Sequence, residues 1–174
     1  MSRSYLITLN GFEEGHHSYD LEITREFFDL FEESEIREGE LVAVIDLEKC
    51  SSNIDLTIRI SGKVKVCCDR CLEMFDHPVE CENRLLVRVG KVFDDSDPEV
   101  ITVPSSEHEL DIKQYLYEFI LLALPIQRLH PDDDDGRSTC NPVMLQKLGE
   151  YLVEGENDKY DSRWDELKKL MDNN

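Results

Sequence analysis

A chain of 174 residues, 40% of them apolar, has room for one domain with a tail and enough material for a core, so it needs neither disulfides nor an obligate partner to fold. Thirty-nine acidic residues against nineteen basic ones give a formal net charge of −20. That argues against generic binding to a phosphate backbone, which depends on lysine and arginine displacing condensed counterions. The longest nearly unbroken apolar run, Phe119 to Leu124, falls far short of the ~18 residues of a membrane span, and Met1 to Asn10 lacks the apolar stretch of a secretory signal. The expectation is a soluble cytoplasmic protein with no membrane partner, its six cysteines held as reduced thiols or metal ligands.

In chain order, Tyr5, Ile7 and Leu9 alternate with polar neighbours and predict a short strand, followed by a turn at Asn10 and Gly11. Tyr19 to Ile23 reads as a second strand, and Thr24 as the N-cap of a short helix through Phe27, Phe28 and Phe31. Leu41 to Leu47 is apolar throughout apart from Asp46. Ile54, Leu56, Ile58 and Ile60 alternate with polar residues, as do Val64 and Val66, and then Leu85, Val87 and Val89. Each alternation sets basic side chains opposite the buried face, and the whole reads as an antiparallel meander. Phe93 to Pro98 is an acidic loop. Asp111 is placed to cap a helix carrying Ile112, Tyr115, Leu116, Phe119, Ile120 and Ala123 on one stripe, ended by Pro125. Pro131 to Gly136 is a second acidic loop, expected to be mobile, and Trp164, Leu167, Leu170 and Met171 form a last amphipathic stripe of two turns. The predicted fold class is α+β: an antiparallel β-meander or partly closed barrel with one long helix packed on it and a short C-terminal helix. The division is a single domain over 1–140 and an acidic extension over 141–174.

Cys68 and Cys71 enclose Asp69 and Arg70 where a strand ends. Two cysteines at this spacing in a tight turn can aim both sulfurs at one tetrahedral ion, as zinc knuckles do. Later in the chain, His130 beyond the helix and Cys140 past the acidic loop would complete a structural Cys3His zinc site. The competing reading is that these thiols pack in reduced form, as Cys50, Cys67 and Cys81 are expected to do. A redox role for the pair calls for a helix N-terminus at the first cysteine, whereas Leu72 to Pro78 leads into another strand.

The charge is segregated. From Lys63 to Lys91 six basic residues meet five acidic ones, so this stretch is +1 and the remainder −21. Lys63, Lys65, Arg84 and Arg88, with Arg70 at the cysteine turn, are the candidates for contact with RNA or a partner. The phosphate loop, the dinucleotide fingerprint, the serine-hydrolase elbow and the His-Glu-x-x-His metalloprotease motif are all missing from the sequence. No reaction is suggested, and neither a catalytic residue nor a small-molecule substrate is assigned.

Three segments resemble the YceD-like family. Cys68-Asp-Arg-Cys71 followed by Phe75 and Pro78-Val79 is similar to that family's Cys-x-Arg-Cys segment. Tyr117 to Ile126 resembles its helix ending in Leu-Ala-Leu-Pro, with His130 and Cys140 at its downstream ligand-like positions. Asp161 to Leu170 looks like its terminal Leu-Lys-Lys-Leu segment. The loop between His130 and Cys140 departs from the pattern by its aspartate run. The resemblance implies a bacterial ribosome biogenesis factor, not an enzyme, that supports accumulation of large-subunit ribosomal RNA. Its partner would be a ribosomal protein or a pre-ribosomal particle. Two mechanisms follow, an acidic assembly chaperone or a direct RNA binder, with a thiol oxidoreductase as a weaker third.

Overall fold

The computed structural model describes residues 5–9, 15–50, 53–97 and 99–151. The chain is α+β. Its elements are β1 (Leu6–Thr8), β2 (Gly15–Ile23), α1 (Arg25–Phe28), β3 (Gly39–Cys50), β4 (Asn53–Cys67), β5 (Met74–Gly90), β6 (Asp94–Asp97), β7 (Val100–Pro104), β8 (Glu109–Asp111), α2 (Lys113–Ala123) and α3 (Pro142–Tyr151). The turn expected at Asn10 and Gly11 and the stripe from Trp164 to Met171 lie outside the described residues.

The alternating segments build the sheet. β2 to β5 form an antiparallel meander, and the register of β3 on β4 pairs Leu41, Ala43, Ile45 and Leu47 with Gly62, Ile60, Ile58 and Leu56. Because strand side chains alternate, that register puts all the apolar partners on one face. Ile45, Leu47, Leu56, Ile58, Ile60 and Leu85 are fully buried there. α1 adds Phe27 and Phe28, whose rings meet edge to face, and α2 adds Leu116, Phe119 and Ile120. The two-stranded ribbon of β1 and β8 contributes Ile7 and Leu110 to the same core.

The chain passes close to itself at Gly62. Its φ is +148°, and a Cβ there would lie 2.2 Å from the Glu40 carbonyl oxygen and 2.6 Å from the Leu41 Cα. Only glycine admits both the backbone angle and the approach of β3.

Four features differ from the expectation. The sheet is not closed: its order is β2-β3-β4-β5-β7-β6, an open array. It is also mixed, because β5 and β7 pair in parallel. The chain leaves β5, steps past one strand position to form β6, and returns as β7 into the gap. The acidic segment read as a loop is thus partly the edge strand β6, in which all four residues are exposed. Among the described residues no single long helix spans the sheet. α2 has 11 residues and α3 has 10. α2 begins after Asp111, whose Oδ1 accepts the Lys113 amide at 3.0 Å, and it ends before Pro125 as its sequence requires.

Candidate metal centre

The hairpin between β4 and β5 carries the cysteine turn. The Cys68 amide donates to the Glu73 carbonyl at 2.9 Å, and the Leu72 amide donates to the Cys68 carbonyl at 2.9 Å. Leu72 closes the turn with φ of 62°, a left-handed angle that a side chain adopts at a cost. This geometry points Cys68 and Cys71 inward, and both are buried.

The segment after α2 is clamped to the turn. The Asp69 amide donates to the Arg128 carbonyl at 2.8 Å, and Asp69 Oδ2 accepts the Arg128 amide at 2.7 Å. His130 follows two residues later, with its ring 4.5 Å from that of Phe75. The aspartate loop expected to be mobile is folded on itself. Asp133 Oδ1 accepts the amides of Asp135 and Arg137, and Asp132 bridges Ser138. The loop thereby delivers Cys140, also buried, to the same point.

Cys68, Cys71, His130 and Cys140 converge, with one ligand atom from each lying within 4.8 Å of all the others. Cys68 Sγ is 3.7 Å from Cys140 Sγ, and His130 Nδ1 is 3.4 Å from Cys71 Sγ and 3.6 Å from Cys140 Sγ. A sulfur pair at 3.7 Å is much too far apart for a disulfide, whose S–S bond is about 2.0 Å. With metal–sulfur bonds of about 2.3 Å and metal–nitrogen bonds of about 2.0 Å, a tetrahedral site has ligand edges of about 3.5–3.8 Å. The donor set and these three distances fit a divalent ion of zinc's preference, which would cross-link the β4–β5 hairpin, the segment after α2 and the start of α3.

The surroundings favour deprotonated sulfur at Cys68 and Cys140. Burial pushes the Cys68 thiol up, but the amides of Cys71, Arg70 and His130 outweigh it and bring it down to about 6. Burial also opposes ionisation of Cys140, and bonds from Ser138 and Arg70 more than offset it. At Cys71 burial prevails and the thiol is raised. His130 is raised, chiefly by the Cys68 sulfur. Arg70 Nε donates to Cys140 Sγ at 3.3 Å while its Nη2 donates to Ser138 Oγ at 2.6 Å. Such an outer contact orients a ligand and offsets the negative charge of three thiolates.

The chain matches the family model of the large ribosomal RNA subunit accumulation protein YceD over residues 56–171, well over half its length. It belongs to the YceD family. The YceD match takes in the cysteine turn, α2, His130 and Cys140, whereas β1, β2, α1, β3 and the first residues of β4 precede it. No curated protein and no solved structure matches the chain significantly.

The other candidate residues are placed differently. β4–β5 register sets Lys63, Lys65, Arg84 and Arg88 on one face, the one opposite the core. Arg84 lies across from Thr57, so Lys63 is about 20 Å farther along β4 at about 3.3 Å per residue. Lys63 is 3.5 Å from both Glu40 and Asp76, and Lys65 is 3.0 Å from Glu38. Among the described residues, neither Arg84 nor Arg88 is in an ion pair. Arg70 is turned into the cysteine cluster instead. Of the remaining thiols, Cys81 is half-buried against α2, while Cys50 and Cys67 are exposed, so packing does not account for those two.

Two functional elements escape sequence reading. Arg70 as a thiolate partner leaves no trace in spacing. α3 does have a signal, Asn141-Pro142 ahead of Met144, Leu145 and Leu148, which is an N-cap followed by proline at the first helical position. Asn141 Oδ1 accepts the Val143 amide at 2.9 Å, and Met144 and Leu145 pack on the cysteines.

Proposed function

We propose that this YceD-family chain supports accumulation of large-subunit ribosomal RNA in the cytoplasm as an acidic assembly chaperone, and that it binds its partners without transforming a substrate. Its net charge of −20 attracts lysine-rich proteins and speeds encounter with them. The observation that carries the choice of partner is the state of the cations on the outer sheet face. Lys63 and Lys65 are already neutralised by Glu40, Asp76 and Glu38, and Arg59 by Asp46 and Glu82, so little positive charge is left for a phosphate backbone. The direct RNA reading keeps one supporting observation, the pair Arg84 and Arg88.

Zinc in the Cys3His site has a structural role in this reading. Four protein ligands fill a tetrahedral ion and leave no position for a reacting water. A thiol-exchange role needs an accessible thiolate, and Cys68, Cys71 and Cys140 are buried.

Affinity capture from growing cells at moderate salt tests the partner. A basic ribosomal protein or large-subunit precursor is expected, and Arg84→Glu with Arg88→Glu should leave that capture intact. Complete loss in the double variant would hand the function to RNA contact. Normal large-subunit RNA levels in cells lacking the protein would overturn the biogenesis role itself. Elemental analysis after purification without added metal should give about one zinc per chain, and much less for Cys68→Ser. A metal-free parent defeats the zinc site.

A further inference from the structure

Three surface grooves differ in charge. One on the outer sheet face combines His16, Asp46, Glu48 and Glu82 with Arg59 and Arg84. A second, at the start of β3, mixes Glu38, Glu40 and Asp76 with Arg25, Lys63 and Lys65. The first, which Asp55 also lines, has four carboxylates against two arginines, and the second balances three against three. The third runs between the β6 edge and α2 and has another character. It encloses about 460 Å³ and is lined by Phe93, Asp95, Asp97, Tyr115, Glu118 and Leu122. The one cation in its lining, Lys113, is held by Asp111 at 2.8 Å.

Two large apolar side chains are left in water here. Leu122 is 80% exposed although it lies on α2, and Phe93 is 49% exposed. An apolar anchor point with an acidic rim is a recognition surface, whereas scattered exposed leucines are not. The negative potential is felt inside the groove, where burial, and then the charges of Asp95 and Glu118, push the Tyr115 phenol up.

We infer that the groove between β6 and α2 is the docking site for a basic peptide segment, one apolar residue seated against Leu122 and Phe93 with lysines or arginines on either side meeting Asp95, Asp97 and Glu118. The inference rests on the chaperone reading and names the surface that carries it out. Charge complementarity decides the occupant. An RNA strand would bring phosphates against carboxylates, and a second copy of a chain of charge −20 would bring like charge to an acidic rim. An unfolded tail of a nucleic-acid-binding protein supplies both the cations and the apolar anchor.

The test uses the full chain and a fluorescent peptide with a central leucine flanked by lysines, followed by anisotropy at low and moderate salt. The parent should bind, more weakly as salt rises. Leu122→Ser should weaken binding about tenfold, ~1.4 kcal/mol. A peptide with serine in place of leucine should bind the parent as weakly as the leucine peptide binds that variant. Asp95→Lys with Glu118→Lys should weaken binding far more than Asp20→Lys with Glu48→Lys, which changes net charge equally at the β2–β3 edge. Equal losses from the two charge pairs, or no effect of Leu122→Ser, would overturn the groove and leave the chaperone reading standing on diffuse charge. No binding by the parent would sink the groove and the chaperone together. Competition by a single-stranded RNA that is sensitive to Leu122→Ser, or a parent dimer that Leu122→Asp makes monomeric, would assign the groove to RNA or to a second copy and overturn the peptide.

Discussion

Gly62 and Leu72 hold the two left-handed residues that matter most, and they differ in what surrounds them. At Gly62 the neighbouring strand leaves no space, so Gly62→Ala meets both a forbidden angle and the Glu40 carbonyl. The expected cost is at least about 2 kcal/mol, read as a lower denaturation midpoint at unchanged slope. A midpoint within error of the parent would show that β3 can move away freely. Leu72, by contrast, is 66% exposed, and its strain sits beside the candidate metal ligands. Residue identity alone announced the two cysteines of the turn, since their spacing is local. It could not announce Arg70's place, because Ser138 and Cys140 lie far along the chain and only folding brings them within reach.

Among the elements, the meander was legible and its continuation was not. Alternation from Ile54 to Ile60 in β4 carries the register with it, because a slip by one residue would turn every isoleucine outward. The run Val100 to Val103 reads as apolar without stating its partner, and whether it joins β5 in parallel depends on where β6 leaves room. Asp46 ties three strands together on the outer face. Its carboxyl is held below its ordinary 3.8 by Ser18 of β2 and then by Arg59 of β4. A folded pKa below the unfolded one gives stability that is present above the unfolded value and lost as pH falls through the folded one. Asp46→Asn should therefore flatten the loss of stability in acid below about pH 4, with little change in that slope at neutral pH. An unchanged acid limb would remove this network from the account. α3 offers a second measurement. Asn141 caps the helix and also donates to Glu73 Oε1 at 2.6 Å, which fastens the helix to the cysteine turn. Asn141→Ala should cost about 1 kcal/mol, and Asn141→Ser should recover the capping share only. Equal stability of the two variants would mean that the cap contributes nothing.

At the scale of the whole molecule, the described residues form two apolar clusters. The larger lies between the sheet and α1, α2 and the β1–β8 ribbon, and the smaller surrounds Cys68, Cys71 and Cys140 with Leu129, Met144 and Leu145. The small cluster has too few side chains to order three chain segments by burial alone, so a metal bound there stabilises the folded state by mass action. At about a thousandfold excess over Kd that linkage is ~4 kcal/mol, and chelation should lower Tm by about 10 °C. A chelator that leaves Tm unmoved would show that packing alone holds the cluster. The acidic surface acts at the same scale. It was visible as composition, but the groove beside α2 was not, because Phe93 and Leu122 lie far apart in sequence.

By itself the sequence determined the α+β class, the core face of each strand of the meander and the overall charge. It also supplied the four candidate ligands and the family resemblance, because alternation, spacing and residue type are local properties that survive without coordinates. Only the tertiary structure decided that the sheet stays open and mixed, that Cys140 and His130 reach the knuckle, that Arg70 serves a sulfur, and that two lysines of the basic stretch are neutralised. Each of these depends on which distant residues become neighbours, and that is settled by packing the whole chain into one core.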